Sequence, residues 1–262
     1  MLIPRALTIA GSDSGGGAGI QADLKTFSAF RVFGMSVVTA VTAQNSVGVQ
    51  GVENLPPAFV AQQLRSVLSD LGADAAKCGM LSTAPIIEAV AATLGEHPIG
   101  KLVVDPVMVA KSGDPLLRPD ARQALVTRIL PLALVVTPNL PEAEVLAGMR
   151  VETRADMEEA ARRIRALGPR SVLVKGGHLK GDAVDVLWNG REFTVFSTPR
   201  VESPSTHGTG CTFSAAIAAG LARNESLGDA IREAKAYVTK AIRDGFALGR
   251  GVGQLRHFLT EW

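Results

Sequence analysis

Two cysteines among 262 residues exclude a disulfide framework, and no CxxC pair is present to hold a metal. Cys78 and Cys211 therefore fit a reducing, cytosolic setting. No stretch of about 18 uncharged apolar residues occurs, so no membrane span is expected. The first residues, MLIPRALTIA, are interrupted by Pro4 and Arg5 too early for a signal peptide. Charge of one sign is lacking too. The 27 basic and 25 acidic residues leave +2, which excludes a nucleic-acid-binding polycation. Arg162, Arg163 and Arg165 cluster, but on the polar side of a helical pattern, and read as a solvated face. A Walker-type GxxxxGKS/T is absent, and His178 and His257 have no metal-like partners. Linkers, composition breaks and internal repeats are also missing, so residues 1–262 are expected to form one domain.

What is present is a large core: 47% of the residues are hydrophobic and 20% charged. Apolar runs of strand length recur at 6–10, 36–43, 74–79, 101–104, 133–136 and 171–174. Helical patterns separate most of them. Val60, Leu64, Val67, Leu68 and Leu71 form one apolar stripe, and Met157, Ala160, Ala161, Ile164 and Leu167 form another. Short continuous apolar strands alternating with amphipathic helices predict an α/β fold, with a mostly parallel sheet covered on both faces. Residues 183–196 break the rhythm, because two strand-like segments flank Asn189-Gly190 and predict an antiparallel edge hairpin. A Pro/Ser-rich loop (198–206) follows, then two helical stretches at about 208–223 and 226–248.

In open α/β sheets ligands bind beyond the carboxyl ends of the strands. The polar residues just after the apolar runs are therefore the site candidates: residues 11–19, Gln44-Asn45, Cys78-Gly79-Met80, Asp105, residues 137–142 and residues 175–178. The first of these, in TIAGSDSGGGAGIQAD, passes as a loose GxGxxA dinucleotide fingerprint. The acidic residue such a binder needs after its second strand is replaced by Gln44-Asn45, which leaves a surface loop as an equal reading. Thr206-His207-Gly208-Thr209-Gly210-Cys211-Thr212 is a stronger signal. Its glycines open a small-residue helix whose first N–H groups lack internal partners and favour an anion. A capped helix with no ligand is the alternative.

These residues match a known family. AGSDSGGGAGIQADLKTF (10–27) and HGTGCTFSAAIAA (207–219) resemble the ribokinase-like kinases, and more closely the hydroxymethylpyrimidine/phosphomethylpyrimidine kinases of thiamine biosynthesis. TAVTAQNSVGV (39–49), KCGML (77–81), VVDPVMVAKSGD (103–114), TPNLPEAEVLAG (137–148), VLVKGGH (172–178) and GVGQLRHF (251–258) continue the resemblance over essentially the whole chain. It implies a three-layer α/β/α sandwich, commonly a homodimer, that uses ATP and Mg²⁺. The implied reaction phosphorylates 4-amino-5-hydroxymethyl-2-methylpyrimidine to its monophosphate and then to the diphosphate. A fused thiamine-phosphate synthase module is not expected.

The resemblance also implies residue roles. Gly208, Thr209, Gly210 and Cys211 match the anion hole for the transferring phosphoryl group. Most ribokinase relatives carry an aspartate base at the fourth position, whereas here it is Cys211. A thiol at a helix N-terminus is expected to have a lowered pKa and some thiolate character, enough to take the hydroxymethyl proton. A neutral thiol would also tolerate the incoming monophosphate, which a carboxylate would repel. Lys175 is expected to reach the β/γ-phosphates, Asn139 and Glu142 the Mg²⁺–phosphate cluster, Asp105 the metal, and Thr206 and His207 the phosphate path. For the pyrimidine the pattern points to Gly11, Asp23, Gln44, Met80 and Val107, with Gln44 pairing to the ring nitrogen and amine. The early glycines are then expected to border the acceptor, providing close approach and mobility.

A pyridoxal kinase remains the alternative on the same scaffold, since related enzymes share even the GTGC turn. From other classes, a dinucleotide-dependent oxidoreductase and a non-catalytic binding module stay open at this point.

Overall fold

The apolar runs become strands, and polar residues follow at their carboxyl ends. In a computed structural model that describes residues 3–108, 119–177 and 181–258, the chain starts with β1 (Arg5–Asp13), α1 (Gly19–Ala29), β2 (Phe33–Gln44) and β3 (Val49–Asn54). Next come α2 (Pro57–Asp70), β4 (Ala75–Cys78), α3 (Ala84–Glu96), β5 (Leu102–Val104), α4 (Pro119–Ala124) and β6 (Val135–Val136). After these follow α5 (Leu140–Ala147), α6 (Arg154–Arg165), β7 (Ser171–Lys175), β8 (Ala183–Trp188) and β9 (Phe193–Thr198). The chain closes with β10 (Ser205–His207), α7 (Thr209–Ala222), α8 (Leu227–Arg243) and β11 (Gly253–Gln254). The part of motif 103–114 beyond Met108, and His178 of motif 172–178, lie outside the described residues.

Nine strands form one sheet in the order β3-β2-β1-β4-β5-β6-β7-β8-β9. The six from β2 to β7 pair in parallel, and the expected hairpin β8–β9 adds an antiparallel edge. The opposite edge departs from expectation: β3 folds back antiparallel on β2. Its sequence, VQGVEN, carries too few apolar residues to read as a strand, because an edge strand facing water needs few. Alternation along the buried strands sends side chains to both faces. Leu102 and Val104 pack with α2–α6, while Val103 packs with α1, α7 and α8. The result is the expected α/β/α sandwich.

The two apolar stripes are buried as predicted over Val60 and Leu64, and over Met157, Ala160, Ala161 and Ile164. Leu71 departs: it lies past the end of α2 and is exposed. The last helix also ends at Arg243, earlier than the 226–248 stretch suggested. Beyond it the chain returns, and β11 pairs with β10 in a small second sheet that leads directly into α7.

Candidate active site

Strand order reverses at β1, which has β2 on one side and β4 on the other. Such a reversal opens a crevice, since the connections on its two sides leave in opposite directions. A cavity of about 710 Å³ runs here along the carboxyl ends of the parallel strands. It is lined by Gly11, Gln44, Met80, Val107, Asp105, Asn139, Glu142, Lys175, Thr206, His207, Gly208, Thr209, Gly210 and Cys211. Asp23 is the exception among the candidates.

At the centre lies the amino end of α7. Gly208 caps the helix in the left-handed region (φ 77°), and the first intrahelical bond runs from Thr212 N–H to the Gly208 carbonyl at 2.9 Å. The N–H groups of Thr209, Gly210 and Cys211 therefore have no intrahelical acceptor and sit at the positive end of the helix dipole. The Thr209 hydroxyl donates to the Thr206 carbonyl at 2.8 Å and shapes the turn. A Cβ on Gly208 would meet the Gly17 carbonyl oxygen at 1.8 Å, so only glycine allows the two loops to touch.

Beside this turn, Lys175 Nζ bonds Asp105 Oδ1 at 2.8 Å. A Cβ on Gly210 would lie 3.4 Å from both Asp105 Oδ2 and Lys175 Nζ, so the pair borders the turn at residues 208–211. Burial alone would discharge Lys175, yet Asp105 and Glu142 outweigh it and hold the ammonium above its ordinary value. Asn139 and Glu142 cap α5 reciprocally: Asn139 Oδ1 accepts the Glu142 N–H at 2.9 Å, and Glu142 Oε2 accepts the Asn139 N–H at 2.9 Å. Burial pushes the Glu142 carboxyl up to about 7, against the pull of Lys175.

The acceptor candidates occupy one wall. Gly11 is bare because a Cβ there would come within 2.7 Å of Met80 Cε. The Thr39 hydroxyl fixes Met80 by donating to its carbonyl at 2.7 Å, and the Thr42 hydroxyl donates to Gln44 Oε1 at 3.1 Å. Asp23 needs correction. It lies beneath the wall rather than in it, fully buried, and takes Lys77 Nζ at 2.9 and 3.0 Å and the Thr8 hydroxyl at 2.6 Å. Lys77, which sequence reasoning passed over, borders the cavity, with its side chain fully buried against Asp23. The sequence signal was a lysine inside an otherwise apolar strand.

The opening glycine loop also differs from expectation. It is tied down, not free: Asp13 accepts N–H groups from Gly15 (2.8 Å), Gly17 (3.1 Å) and Ala18 (2.8 Å). The glycines serve close approach to the C-terminal loops, since a Cβ on Gly17 would strike Gln254 and His207. The expected lowering of the Cys211 pKa is not what its surroundings favour. Cys211 is half-buried, and burial pushes its thiol up to about 11, with Lys77 opposing and Asp23 and Asp105 reinforcing. The Gly19 N–H lowers it without offsetting this, so the surroundings favour the protonated thiol.

Val201, Phe213, Val238 and Ile242, which sequence reasoning did not locate, add apolar side chains to the lining of the same cavity. His257, given no role above, is a neutral core residue held down to about 4 by burial and bonded to Thr212 Oγ1 at 2.9 Å.

A family model described as phosphomethylpyrimidine kinase matches residues 13–256. The chain belongs to this family. It is 54% identical over 254 residues to the hydroxymethylpyrimidine/phosphomethylpyrimidine kinase of Streptomyces coelicolor, covering 97% of this chain and 94% of that one. Thiamine biosynthesis bifunctional protein ThiED of Geobacter sulfurreducens is also 54% identical over 97% of this chain, but the match spans 52% of that longer protein. Among solved structures, a pyridoxal kinase from Bacillus subtilis in an ADP complex superposes with a TM-score of 0.90 at 44% identity, over 98% of both chains. The phosphomethylpyrimidine kinase of Clostridium difficile gives 0.83 at 45% identity, over 92% of this chain and all of the other.

Proposed function

We propose that this chain is an ATP-dependent kinase that phosphorylates 4-amino-5-hydroxymethyl-2-methylpyrimidine and then the resulting monophosphate, for thiamine diphosphate synthesis. One observation carries the reading: a single cavity is lined by Gly11, Gln44, Met80 and Val107, by the amino end of a helix with Lys175 beside it, and by the apolar Val201, Phe213, Val238 and Ile242. The acceptor oxygen would attack the γ-phosphorus, forming one P–O bond as the bond to the β-phosphate oxygen breaks. Phosphoryl transfer asks the protein mainly for alignment and charge neutralisation. The N–H groups of Gly210 and Cys211 supply the first donors and Lys175 a full charge, while Asp105 restrains the ammonium until phosphate replaces it.

Cys211 then has a narrower role than a base. Its proton stays on the sulfur, and a loose transition state lets the acceptor hydroxyl release its own proton late, to an oxygen of the transferred phosphoryl group and from there to water. A neutral thiol leaves room for the anionic monophosphate. Cys211→Asp is expected to cut kcat/KM for the monophosphate at least about tenfold more than for the alcohol, because like charges in a desolvated site repel. An unchanged ratio of the two would overturn this role.

Among the described residues no group of three His, Cys, Asp or Glu side chains builds a cation site. Two cavity carboxylates, Asp105 and Glu142, suit Mg²⁺ of the kind that takes its remaining oxygens from phosphates and water. The ion would neutralise phosphate charge. We also assign the whole chain to one kinase domain, working as a cytoplasmic homodimer. The unpaired thiols and the exposed Val41, Val47 and Val52 near the β2–β3 edge support this assignment.

The decisive assay measures ADP release from ATP–Mg²⁺ with the hydroxymethylpyrimidine, its monophosphate, pyridoxal and ribose. Turnover of both pyrimidines is expected. Turnover of pyridoxal alone would replace this reading with a pyridoxal kinase, which the solved relatives of that name keep in view, and turnover of neither pyrimidine sinks it.

A further inference from the structure

Asp13 is a buried carboxylate outside the roles assigned above, and it joins two parts of the site that the sequence separates by 194 residues. It ends β1. Its Oδ1 accepts the Gly15 N–H, and its Oδ2 accepts those of Gly17 and Ala18 and lies 3.0 Å from His207 Nε2. Burial works against its charge, yet His207 and the backbone donors hold the carboxyl below its usual value. Hydrogen bonds to an ionised acceptor are shorter and about twice as strong as neutral ones. His207 directly precedes Gly208. The same two segments touch at two more points, where Gly208 meets the Gly17 carbonyl and where the Gly19 N–H reaches the Cys211 sulfur.

The loop cannot move without carrying Asp13, and Asp13 cannot move without disturbing His207 and the turn after it. We infer that Asp13 is a positioning residue that couples occupancy of the acceptor wall to assembly of the anion hole. The inference rests on the kinase reading, in which residues 11–18 border the acceptor and residues 208–211 the phosphoryl group. Two sites linked through one element bias each other reciprocally, so each ligand must tighten the other by the same factor. A kinase arranged this way holds its phosphate site more firmly when the acceptor is present.

The test is calorimetric binding of a β,γ-methylene ATP analogue with Mg²⁺, in the presence and absence of hydroxymethylpyrimidine. In the wild type the pyrimidine is expected to tighten the analogue about tenfold, within the usual range of such couplings. In Asp13→Asn that factor is expected to fall to within about twofold of one, while either ligand alone binds within about threefold of wild type. His207→Ala reads the link from its other end and decides the question if Asp13→Asn does not fold. His207→Gln, which keeps a donor at similar reach, is expected to restore part of the factor. A role confined to stability would lower the unfolding temperature and leave the factor intact. That result, or a wild type without synergy, overturns the inference while leaving the kinase assay positive. A wild type that neither binds nor phosphorylates the pyrimidine overturns the functional reading and the inference together.

Discussion

Lys77→Met is expected to destabilise the fold by about 3–5 kcal/mol, the range seen when one partner of a buried ion pair is removed. Both side chains of the Lys77–Asp23 pair are fully excluded from water. Methionine keeps most of the lysine stem, so the neighbouring Ala76 and Cys78 of β4 lose little packing and the charge is what changes. Asp23 is left with the Thr8 hydroxyl and must take up a proton to stay buried. Against a total stability of about 5–15 kcal/mol, a loss of this size shifts the urea midpoint strongly. Adding Asp23→Asn to Lys77→Met is expected to recover more than half of the loss, because the stranded charge goes with it. A loss below about 1 kcal/mol would mean that the pair is a surface-like contact and not a buried one.

The same pair sets an alkaline limit. Burial opposes the charge of Lys77, but Asp23, Cys211 and Asp105 outweigh it and raise its folded pKa above the ordinary 10.5. A raised folded value contributes stability that is fully present below the unfolded value and is lost as pH rises through the folded one. Unfolding midpoints of the wild type should therefore decline above pH 10.5, and those of Lys77→Met should decline less.

How far the sequence carried depended on whether a feature was local. Parallel strands buried on both faces are continuous apolar runs, and 101–104 or 171–174 could be read directly. The strand Val49–Asn54 could not, because a half-exposed edge strand is selected for pairing and not for apolar content. Strands of two or three residues, such as Gly253–Gln254, have no period to detect. Within the site, residues in short motifs were located, while those defined by a distant partner were not. Asp13 sits among Ser and Gly and reads as a turn former until His207 is placed beside it. Asp23 was placed near the acceptor, but its depth depended on Lys77, 54 residues away. The environment of Cys211 is of the same kind. A helix N-terminus is visible in sequence and argues for a lowered pKa, whereas the burial and carboxylates that reverse it belong to the fold.

Gly208→Ala is expected to lower kcat by about 10²–10³-fold, the loss found when a transition-state donor is misplaced. Two effects meet at this residue. Its φ of 77° lies in the left-handed region, which costs an alanine about 1–2 kcal/mol wherever it occurs. Its Cβ would also fall 1.8 Å from the Gly17 carbonyl oxygen, and that is backbone, so the turn itself must shift. Gly148 separates the two. It ends α5 at φ 63°, with nothing within 4 Å of a Cβ, so Gly148→Ala carries the conformational strain without the collision. Both variants should therefore lose thermal stability, Gly208→Ala more than Gly148→Ala by the cost of the collision. Steady-state kinetics with the hydroxymethylpyrimidine should show kcat within about threefold of wild type for Gly148→Ala and the large loss only for Gly208→Ala. Gly208→Ala with kcat within tenfold of wild type would mean that the N–H groups of the turn do not hold the phosphoryl group, because a turn displaced by that contact cannot keep its donors aligned on one atom.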